Sequence, residues 1–347
     1  MHMADALLSP GTGVVMWIAS GTAMAVASRR VRERGDDRLV PLMGMLGAFV
    51  FAAQMINFTI PGTGSSGHLG GGLLLAIVLG PHAAFVVIGS VLTVQALFFA
   101  DGGLLALGAN LFNLGVLPCF VAYPLVYRPL AGASPSNRRR ALAAIVAALV
   151  GVELGALGVV LQTTLSGISS LPLKTFLMVM LPIHLAIGVV EGLATTAIML
   201  FLRRARPDLL ASPASSVAPA GSPSIRPLLA VVAVATLFTG GVLSGFASTQ
   251  PDGLEWSVAR AAGTGPQPTP QAGLPARLAS LQQTLAWLPG YDLPAATAPA
   301  TPAAPPLQAA WPDVKPGTSL AGVVGGIVTL AMVMVVGFCL RRRRRRT

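Results

Sequence analysis

Long apolar stretches separated by short polar segments follow one another along most of the chain. An α-helix needs about 20 apolar residues to cross a hydrocarbon core, and nine segments approach or reach that length. We predict helices over Gly11 to Ser28, Leu39 to Phe58, Leu69 to Gly80, Ala83 to Ala100, Leu104 to Tyr127, Ala141 to Leu161, Thr175 to Leu202, Pro227 to Ala247 and Ser319 to Leu340. The third is short, which predicts a broken or half-buried helix shielded by protein or a cavity. The pattern therefore predicts an all-α integral membrane protein with about nine transmembrane segments.

Composition agrees with a membrane protein. Hydrophobic residues make up 54% of the chain and charged residues only 10%, and the mean hydropathy is +0.73. Soluble domains carry roughly 25% charged residues, so this chain cannot cover its own surface with polar groups. The net charge of +11 would be typical of a nucleic-acid-binding protein if the basic residues were clustered on one face. The positions of the basic residues therefore decide between nucleic-acid binding and a role in membrane topology.

The basic residues follow the predicted topology. If the amino terminus lies outside, alternation of the nine segments places 19 of the 23 Lys and Arg residues on the inner side. The four exceptions are Lys174, Arg260, Arg277 and Lys315. This bias obeys the positive-inside rule. We therefore expect a multi-pass protein of the cytoplasmic membrane with its amino terminus outside, its carboxy terminus inside and no nucleic-acid partner.

Two polar segments divide the chain into modules. Residues 207–225 are rich in Pro, Ala and Ser and are predicted to form a cytoplasmic linker. The linker joins a first module, residues 1–206, to a second, residues 226–347, which carries two transmembrane helices. Residues 248–317 of the second module are predicted to form an extracytoplasmic loop. Leucines at helical spacing from 278 to 288 predict one short helix within it, which lies on the membrane, on the first module or over the loop's own apolar residues.

Two of the four histidines suggest a metal site. His2 follows Met1, and the amino terminus lacks the basic region of a cleavable signal peptide, so both residues are expected in the mature protein. The terminal amine of Met1, the amide nitrogen of His2 and the His2 imidazole can close two fused chelate rings. His68, in a glycine-rich turn predicted on the same outer side, would supply a fourth nitrogen. A planar set of four nitrogens suits Ni(II), Cu(II) or low-spin Co(II) better than Mg²⁺, Ca²⁺ or Zn²⁺.

Other polar residues leave different functions open. His184 and Glu191 lie seven positions apart in one predicted span and share a face, so they are candidates for an intramembrane polar pair. In a proton-coupled solute carrier such a pair would relay protons. Gly64-Ser-Ser-Gly67 matches the short pattern of rhomboid-type intramembrane serine proteases, with Ser66 as nucleophile and His184 as base. No lysine follows a glycine, so the chain lacks a phosphate-binding Walker loop.

Three segments resemble a known family. They are Met-His-Met-Ala-Asp-Ala-Leu-Leu-Ser-Pro at the start, Ser-Gly-His-Leu-Gly-Gly-Gly ending at Gly72, and Leu-Pro-Ile-His-Leu-Ala-Ile-Gly-Val-Val-Glu-Gly-Leu ending at Leu193. Together they are similar to the CbiM/NikM family, the substrate-binding components of energy-coupling-factor cobalt and nickel transporters. The resemblance covers residues 1 to 203. Family members commonly begin Met-His-Ile-Pro-Asp-Gly, from which this chain differs at positions 3, 4 and 6.

The resemblance implies a fold, a ligand set and partners. It implies a seven-helix bundle and a metal held by Met1, His2 and His68, with Gln54, Asn57 and Ser66 as candidates for orienting His68. Co(II) or Ni(II) would be the transported ion rather than a permanent cofactor. A transmembrane coupling subunit and ATP-binding cassette ATPase subunits would be the partners, so the chain itself would not be an enzyme.

The second module resembles a small accessory component. Pro251-Asp-Gly-Leu-Glu255, and Pro316-Gly-Thr-Ser-Leu-Ala-Gly322 at the start of the last span, are similar to the PDGLE domain, which has two transmembrane helices. The resemblance implies that the module acts in metal loading or release.

Overall fold

Helices make up nearly all the regular structure of the computed structural model, which describes residues 2–34, 38–133, 135–169, 171–206, 224–263, 273–293 and 316–344. The first module contains α1 Pro10–Arg34, α2 Leu39–Gln54, α3 Gly72–Leu79, α4 Pro81–Phe99, α5 Leu107–Leu111, α6 Arg128–Ala131, α7 Asn137–Ser166 and α8 Leu173–Ala205. The second contains α9 Arg226–Gly241, α10 Gly253–Ala262, α11 Gly273–Leu285 and α12 Pro316–Arg344. The predicted all-α membrane class is confirmed. The predicted linker lies mostly outside the described residues.

The described residues contain seven helices that are long and apolar enough to cross a membrane, not nine. One of them, Leu107–Ala131, joins α5 and α6 through a π-helical stretch, Phe112–Tyr127, that contains Pro118 and Pro124. Two of the nine predicted spans, α2 and α3, are shorter than a membrane-crossing helix, with 16 and 8 residues. At 1.5 Å per residue these span about 24 Å and 12 Å. Both are largely buried by neighbouring helices, which allows short helices to persist at membrane depth.

The second module packs into the bundle of the first. Helix α12 lies along α2, where a side chain added at Gly44 or Gly47 would meet Met334 or Val333. Helices α9 and α12 meet so closely that a Cβ added at Gly322 would lie 2.1 Å from the Gly240 carbonyl oxygen. Such close approach of small residues is how helices associate in lipid, where no hydrophobic drive exists between them. This packing brings the segment that follows α9 into contact with the first module.

A short hairpin carries the glycine-rich turn. Strands β1 Phe58–Ile60 and β2 Ser65–Gly67 pair antiparallel, with Thr59 opposite Ser66. The turn between the strands has positive φ at Gly62 and Gly64, a conformation that favours glycine. The chain leaves β2 at His68 and enters α3 at Gly72, so the hairpin sets where His68 begins.

Candidate metal centre

The amino-terminal segment is threaded into the bundle beside the start of α5. The Met3 amide donates to Asn110 Oδ1 at 2.8 Å, and Asn110 Nδ2 donates to the Met3 carbonyl at 3.2 Å. The Gly103 amide also donates to the Met3 carbonyl, at 2.9 Å. The Met3 side chain is fully buried. These contacts fix the backbone immediately after His2.

Asp5 and Gly102 complete the anchor. The Asp5 carboxylate accepts the Ala106 amide at 2.9 Å. Gly102 has φ of +77°, and a Cβ there would lie 2.8 Å from Asn110 Nδ2 and 3.3 Å from His2 Cβ. Only glycine fits this position without strain. His2 is therefore positioned by the hydrogen bonds of Asn110 and Asp5 and by Gly102, which leaves room for its Cβ.

The Glu191 carboxylate, on the membrane-spanning helix α8, binds the turn that carries His68. Glu191 on α8 is buried, and its two oxygens accept the amides of Gly70 and Gly71 at 2.5 and 2.9 Å. Gly71 has φ of +77° and abuts Val50. Gln54 Nε2 donates to the Gly70 carbonyl at 2.7 Å. The position of His68 is therefore set by α2 and α8 together.

His2 and His68 come together although 66 positions separate them. Their rings are stacked, with centroids 5.1 Å apart and planes 5° from parallel. Their side chains are only 6% and 10% exposed. Burial lowers the pKa of each imidazole to about 3, because desolvation penalises the charged form. Both rings are therefore neutral at physiological pH, which is the form that binds metal ions.

A hydrogen bond selects the tautomer of the neutral His68 ring. His68 Nδ1 lies 3.2 Å from the Leu69 carbonyl oxygen, which can only accept, so Nδ1 carries the proton and Nε2 keeps its lone pair. His2 Nδ1 lies 3.2 Å from Asp101 Oδ2. The other His2 nitrogen, Nε2, is buried without a hydrogen-bond partner in the structure. His68 is therefore protonated on Nδ1 and not on Nε2.

Carboxylates from both modules surround the two rings. A cavity of about 290 Å³ is lined by His2, His68 and four acidic residues, Asp101, Asp252, Glu255 and Asp292. The described lining includes no Lys or Arg. Asp252 Oδ2 lies 4.0 Å from His68 Nε2. Burial raises the pKa of Asp101, although the Tyr291 hydroxyl favours its ionised form by donating to it. The cavity is suited to a cation rather than an anion.

The PDGLE segment docks directly on the hairpin. Ser66 forms a parallel bridge with Asp252, its amide donates to the Pro251 carbonyl at 2.8 Å, and its hydroxyl donates to the Gln250 carbonyl at 2.8 Å. Asp252 also caps α10 by accepting the Glu255 amide at 2.7 Å. The second module therefore places its acidic turn against the strand that leads into His68.

A second contact reaches the other side of the cavity. Gln282 on α11 donates to the carbonyls of Ala96 and Gly102 at 2.8 and 2.6 Å. The amides of Trp287 and Leu288 both donate to the Phe98 carbonyl. The predicted leucine-spaced helix is present as α11, and it lies on the first module.

His184 and Glu191, the candidates for an intramembrane polar pair, each hydrogen-bond to backbone groups of their own. The two share the buried face of α8, but Glu191 binds the amides of Gly70 and Gly71. His184 Nδ1 lies 2.7 Å from the Met180 carbonyl oxygen, and its Nε2 has no partner in the structure. Backbone amides of the turn are closer to the Glu191 carboxylate than any imidazole. Ser66 does not hydrogen-bond to His184 either, since its hydroxyl is bound to the second module.

The three residues expected to orient His68 have separate roles. Gln54 supports the turn through Gly70 rather than touching His68. Ser66 binds the second module. Asn57 lines the cavity, and its carbonyl accepts the Ser248 amide at 2.7 Å. Met1 lies outside the described residues.

Sequence reasoning missed the residues that reach the site from distant segments. These are Asp101, Asn110, Asp252 and Tyr291. Asp252 carried a signal, because it belongs to the PDGLE motif that the sequence analysis singled out. The others are polar residues at helix ends or inside apolar runs, a signal too common to select them by pattern alone.

Side chains alone do not complete a metal site here. Within the described ranges, no group of three or more His, Cys, Asp and Glu side chains is arranged to hold a metal ion. Two neutral imidazoles beside the amino terminus are nevertheless a donor set of the kind that Ni(II) and Co(II) prefer. A complete site would need main-chain nitrogen ligands as well.

Comparison with known proteins gives the family. The model of CbiM, the cobalt uptake substrate-specific transmembrane region, matches residues 2–209, and that of the PDGLE domain matches residues 226–342. The chain belongs to the CbiM family. Two crystal structures titled as a transition metal transporter, one of them truncated, are each 32% identical to it. They superpose with TM-scores of 0.53 and 0.54, covering 59% and 61% of this chain and 99% and 96% of theirs.

Members of the CbiM family with the same two-module arrangement are also found. A protein of Archaeoglobus fulgidus with the provisional name fused nickel transport protein NikMN is 33% identical, with 99% of both chains covered. The fused nickel transport protein NikMN of Rhodobacter capsulatus is 32% identical over 84% of this chain and 88% of its own. The chain is thus a membrane component for cobalt or nickel transport, of the fused CbiM/NikMN type, and not an enzyme.

Proposed function

We propose that the protein captures Co(II) or Ni(II) on the outer side of the cytoplasmic membrane and passes it inward as the substrate-binding component of an energy-coupling-factor transporter. The observation that carries the proposal is the pairing of His2 with His68 in an acidic cavity. The amino terminus would lie outside and the carboxy terminus inside, in keeping with the bias of the basic residues.

The ligands would be four nitrogens. The terminal amine of Met1, the amide nitrogen and imidazole of His2 and the Nε2 atom of His68 would surround the ion. Support comes from the His68 tautomer, because its Nδ1 donates to Leu69 and leaves Nε2 unprotonated. Chelation displaces protons from the amine and the amide, so affinity falls as the solution becomes acidic.

Release would depend on separate proteins. The described residues contain no phosphate-binding loop, and the chain belongs to a family of transport components rather than of ATPases. A transmembrane coupling subunit and ATP-binding cassette ATPase subunits would supply the energy. A tightly chelated ion leaves only when its coordination is broken, which is the step that ATP hydrolysis would drive.

The second module would control access to the ion. Its PDGLE turn contacts β2, and its outer loop contacts the end of α4, so it reaches both sides of the cavity. Any route from solvent to the rings through this cavity passes its acidic residues. The module would thereby guide the cation to the chelate and cover the site once the ion is bound.

The proton-coupled carrier is the weaker alternative. It would need Glu191 to gain and lose a proton during transport. Both Glu191 oxygens accept backbone amides of the His68 turn, so protonation would break a structural contact. The geometry favours a role for Glu191 in anchoring the turn that carries His68.

Metal content of the purified protein tests the proposal. Untagged protein would be equilibrated with Ni(II) or Co(II), desalted and analysed by elemental mass spectrometry. We expect about one ion per chain in wild type and in His82→Ala, a control histidine at the opposite end of the bundle, and none in His2→Ala or His68→Ala. Equal metal content in all four proteins would refute the site.

A further inference from the structure

Helix α11 buries a polar residue and exposes apolar ones. Gln282 is only 8% exposed, because its side chain donates to two carbonyls of the first module. The exposed residues of the helix include Leu274, Leu281 and Leu285, at 46%, 50% and 39%. Trp287, two residues after the helix, is 60% exposed. A helix that only covered the apolar residues of its own loop would show the opposite pattern, with its leucines inside and its polar residues outside.

The residues of α11 fall on three faces. Gln282 marks the face that contacts the first module. At 3.6 residues per turn, the three exposed leucines, spaced by seven and four positions, form one stripe to the side of Gln282. Ser280 and Thr284 are exposed on the side away from Gln282. A helix with a protein face, an apolar face and a polar face fits the edge of a membrane protein, where lipid meets water.

Contacts with α4 place α11 at the level where a bilayer ends. The 19 residues of α4 span about 28 Å, close to the roughly 30 Å of a hydrocarbon core. Gln282 donates to the Ala96 carbonyl, in the last turn of α4, at 2.8 Å. The Trp287 amide donates to the Phe98 carbonyl at 3.0 Å. Helix α11 therefore lies at the boundary of the hydrocarbon core, at the end of α4 that leads to Asp101 and the acidic cavity.

Trp287 lies at the same boundary. Its ring packs against Phe98, with centroids 4.8 Å apart, yet most of the residue is exposed. Tryptophan is enriched at membrane interfaces because its ring is apolar and its N–H is polar. A tryptophan beside a stripe of exposed leucines forms a contiguous apolar patch of the kind that marks an interaction surface. At the depth set by α4, the material that surrounds this patch is lipid.

We infer that α11 is an interfacial helix whose leucine stripe and Trp287 insert into the lipid leaflet beside the acidic cavity. In the proposed orientation this is the outer leaflet. The inference goes beyond the proposed function, because it does not depend on which atoms bind the metal. Tyr291, four residues after Trp287, lines the cavity and donates to Asp101. Insertion of α11 therefore holds this part of the second module beside the cavity.

Spin labels on two faces of α11 test the inference. Full-length protein carrying Cys339→Ser would be labelled with a nitroxide at Leu281→Cys or, as the matched control, at Gln283→Cys. Both positions are exposed, and Cys119 is fully buried and stays. The proteins would be placed in vesicles of phosphatidylcholine and phosphatidylglycerol. Power saturation then measures collisions with oxygen, which concentrates in lipid, and with chromium oxalate, which stays in water and is supplied on both sides.

We expect the label at position 281 to collide more often with oxygen, and several-fold less often with chromium oxalate, than the label at position 283. Equal access of chromium oxalate to both labels would overturn the inference, because both faces of α11 would then lie in water. Protection of both labels from both reagents would overturn it as well, because protein, such as a second copy of this chain, would then cover the helix.

Tryptophan fluorescence tests the same inference without labels. Wild type and Trp287→Phe would be compared in plain vesicles and in vesicles of phosphatidylcholine brominated near the headgroup end of its acyl chains. The difference in emission between the two proteins reports Trp287. We expect the brominated lipid to remove most of that difference. A difference that survives in brominated lipid and is quenched by aqueous iodide would overturn the inference.

Discussion

Tyr291 donates a hydrogen bond of 2.5 Å to the same Asp101 oxygen that faces His2 Nδ1 at 3.2 Å. One oxygen atom thus joins Tyr291 of the second module to the histidine beside the amino terminus. The Tyr291 ring also stacks on Phe99, with centroids 4.9 Å apart. The second module is therefore connected to His2 through side chains as well as through the chain itself.

Tyr291→Phe should loosen this connection while keeping the aromatic stacking. Loss of one hydrogen bond to a charged group corresponds to about a tenfold effect. We expect bound Ni(II) to dissociate several-fold faster, measured by transfer to a chelator in a stopped-flow instrument. Trp287→Phe, which keeps a ring against Phe98, is the control and should dissociate at the wild-type rate. Equal rates for Tyr291→Phe and wild type would show that the loop does not cover the site.

Glu191→Gln should displace the turn that carries His68. A glutamine offers one acceptor oxygen where two backbone amides need one each, and its NH₂ would face a donor. We expect Ni(II) affinity to fall about tenfold or more by isothermal titration calorimetry. Glu153→Gln replaces another membrane-depth carboxylate, whose Oε1 has no partner in the structure, and should bind normally. A proton-coupled carrier would instead lose transport and keep its metal-independent binding.

Asp252→Asn should reduce the attraction of the cavity for cations. The substitution keeps the shape of the α10 cap but removes a charge 4.0 Å from His68 Nε2. We expect Ni(II) association to slow about threefold to tenfold at low salt and to depend less on ionic strength. Glu33→Gln, at the exposed end of α1, serves as the comparison. Loss of salt dependence in Glu33→Gln but not in Asp252→Asn would contradict this assignment.

The metal-free protein should lose stability at acid pH. Burial lowers the pKa of both His2 and His68 to about 3, whereas an exposed imidazole titrates near 6.5. Between these values the unfolded chain binds more protons than the folded one, so the stability that these rings contribute is complete above about pH 6.5 and is lost toward pH 3. We expect the Tm to fall between about pH 7 and pH 5, and to fall less in a His2→Gln, His68→Gln double variant. An equal fall in both proteins would assign the acid sensitivity to other groups.

The sequence predicted most of the helices and singled out His2 and His68 because both signals are local. Apolar runs fix where helices form, and each of the two histidines lies within a short motif. The spacing of His184 and Glu191 also predicted correctly that they share a buried face of α8. It did not predict their partners, because the Gly70 amide that binds Glu191 is 121 positions away.

The remaining features depend on tertiary packing. Leu39–Gln54 and Gly72–Leu79 are as apolar as full spans, and only their burial by other helices shows why they can be short. Asn110 looks like any polar residue in a membrane helix until the Met3 backbone is placed beside it. Contacts across such distances along the chain are not encoded in periodicity or spacing.

One measurement tests the central claim most directly, namely that the free amino terminus is itself a ligand. The visible absorption of Ni(II)-loaded protein would be compared between the untagged chain and the same chain with its terminal amine acetylated. Acetylation removes the basic lone pair of the terminal nitrogen without touching His2 or His68. We predict that the planar-nickel band seen in the untagged protein is lost in the acetylated one. An unchanged band and unchanged affinity would contradict the account and place the metal ligands elsewhere.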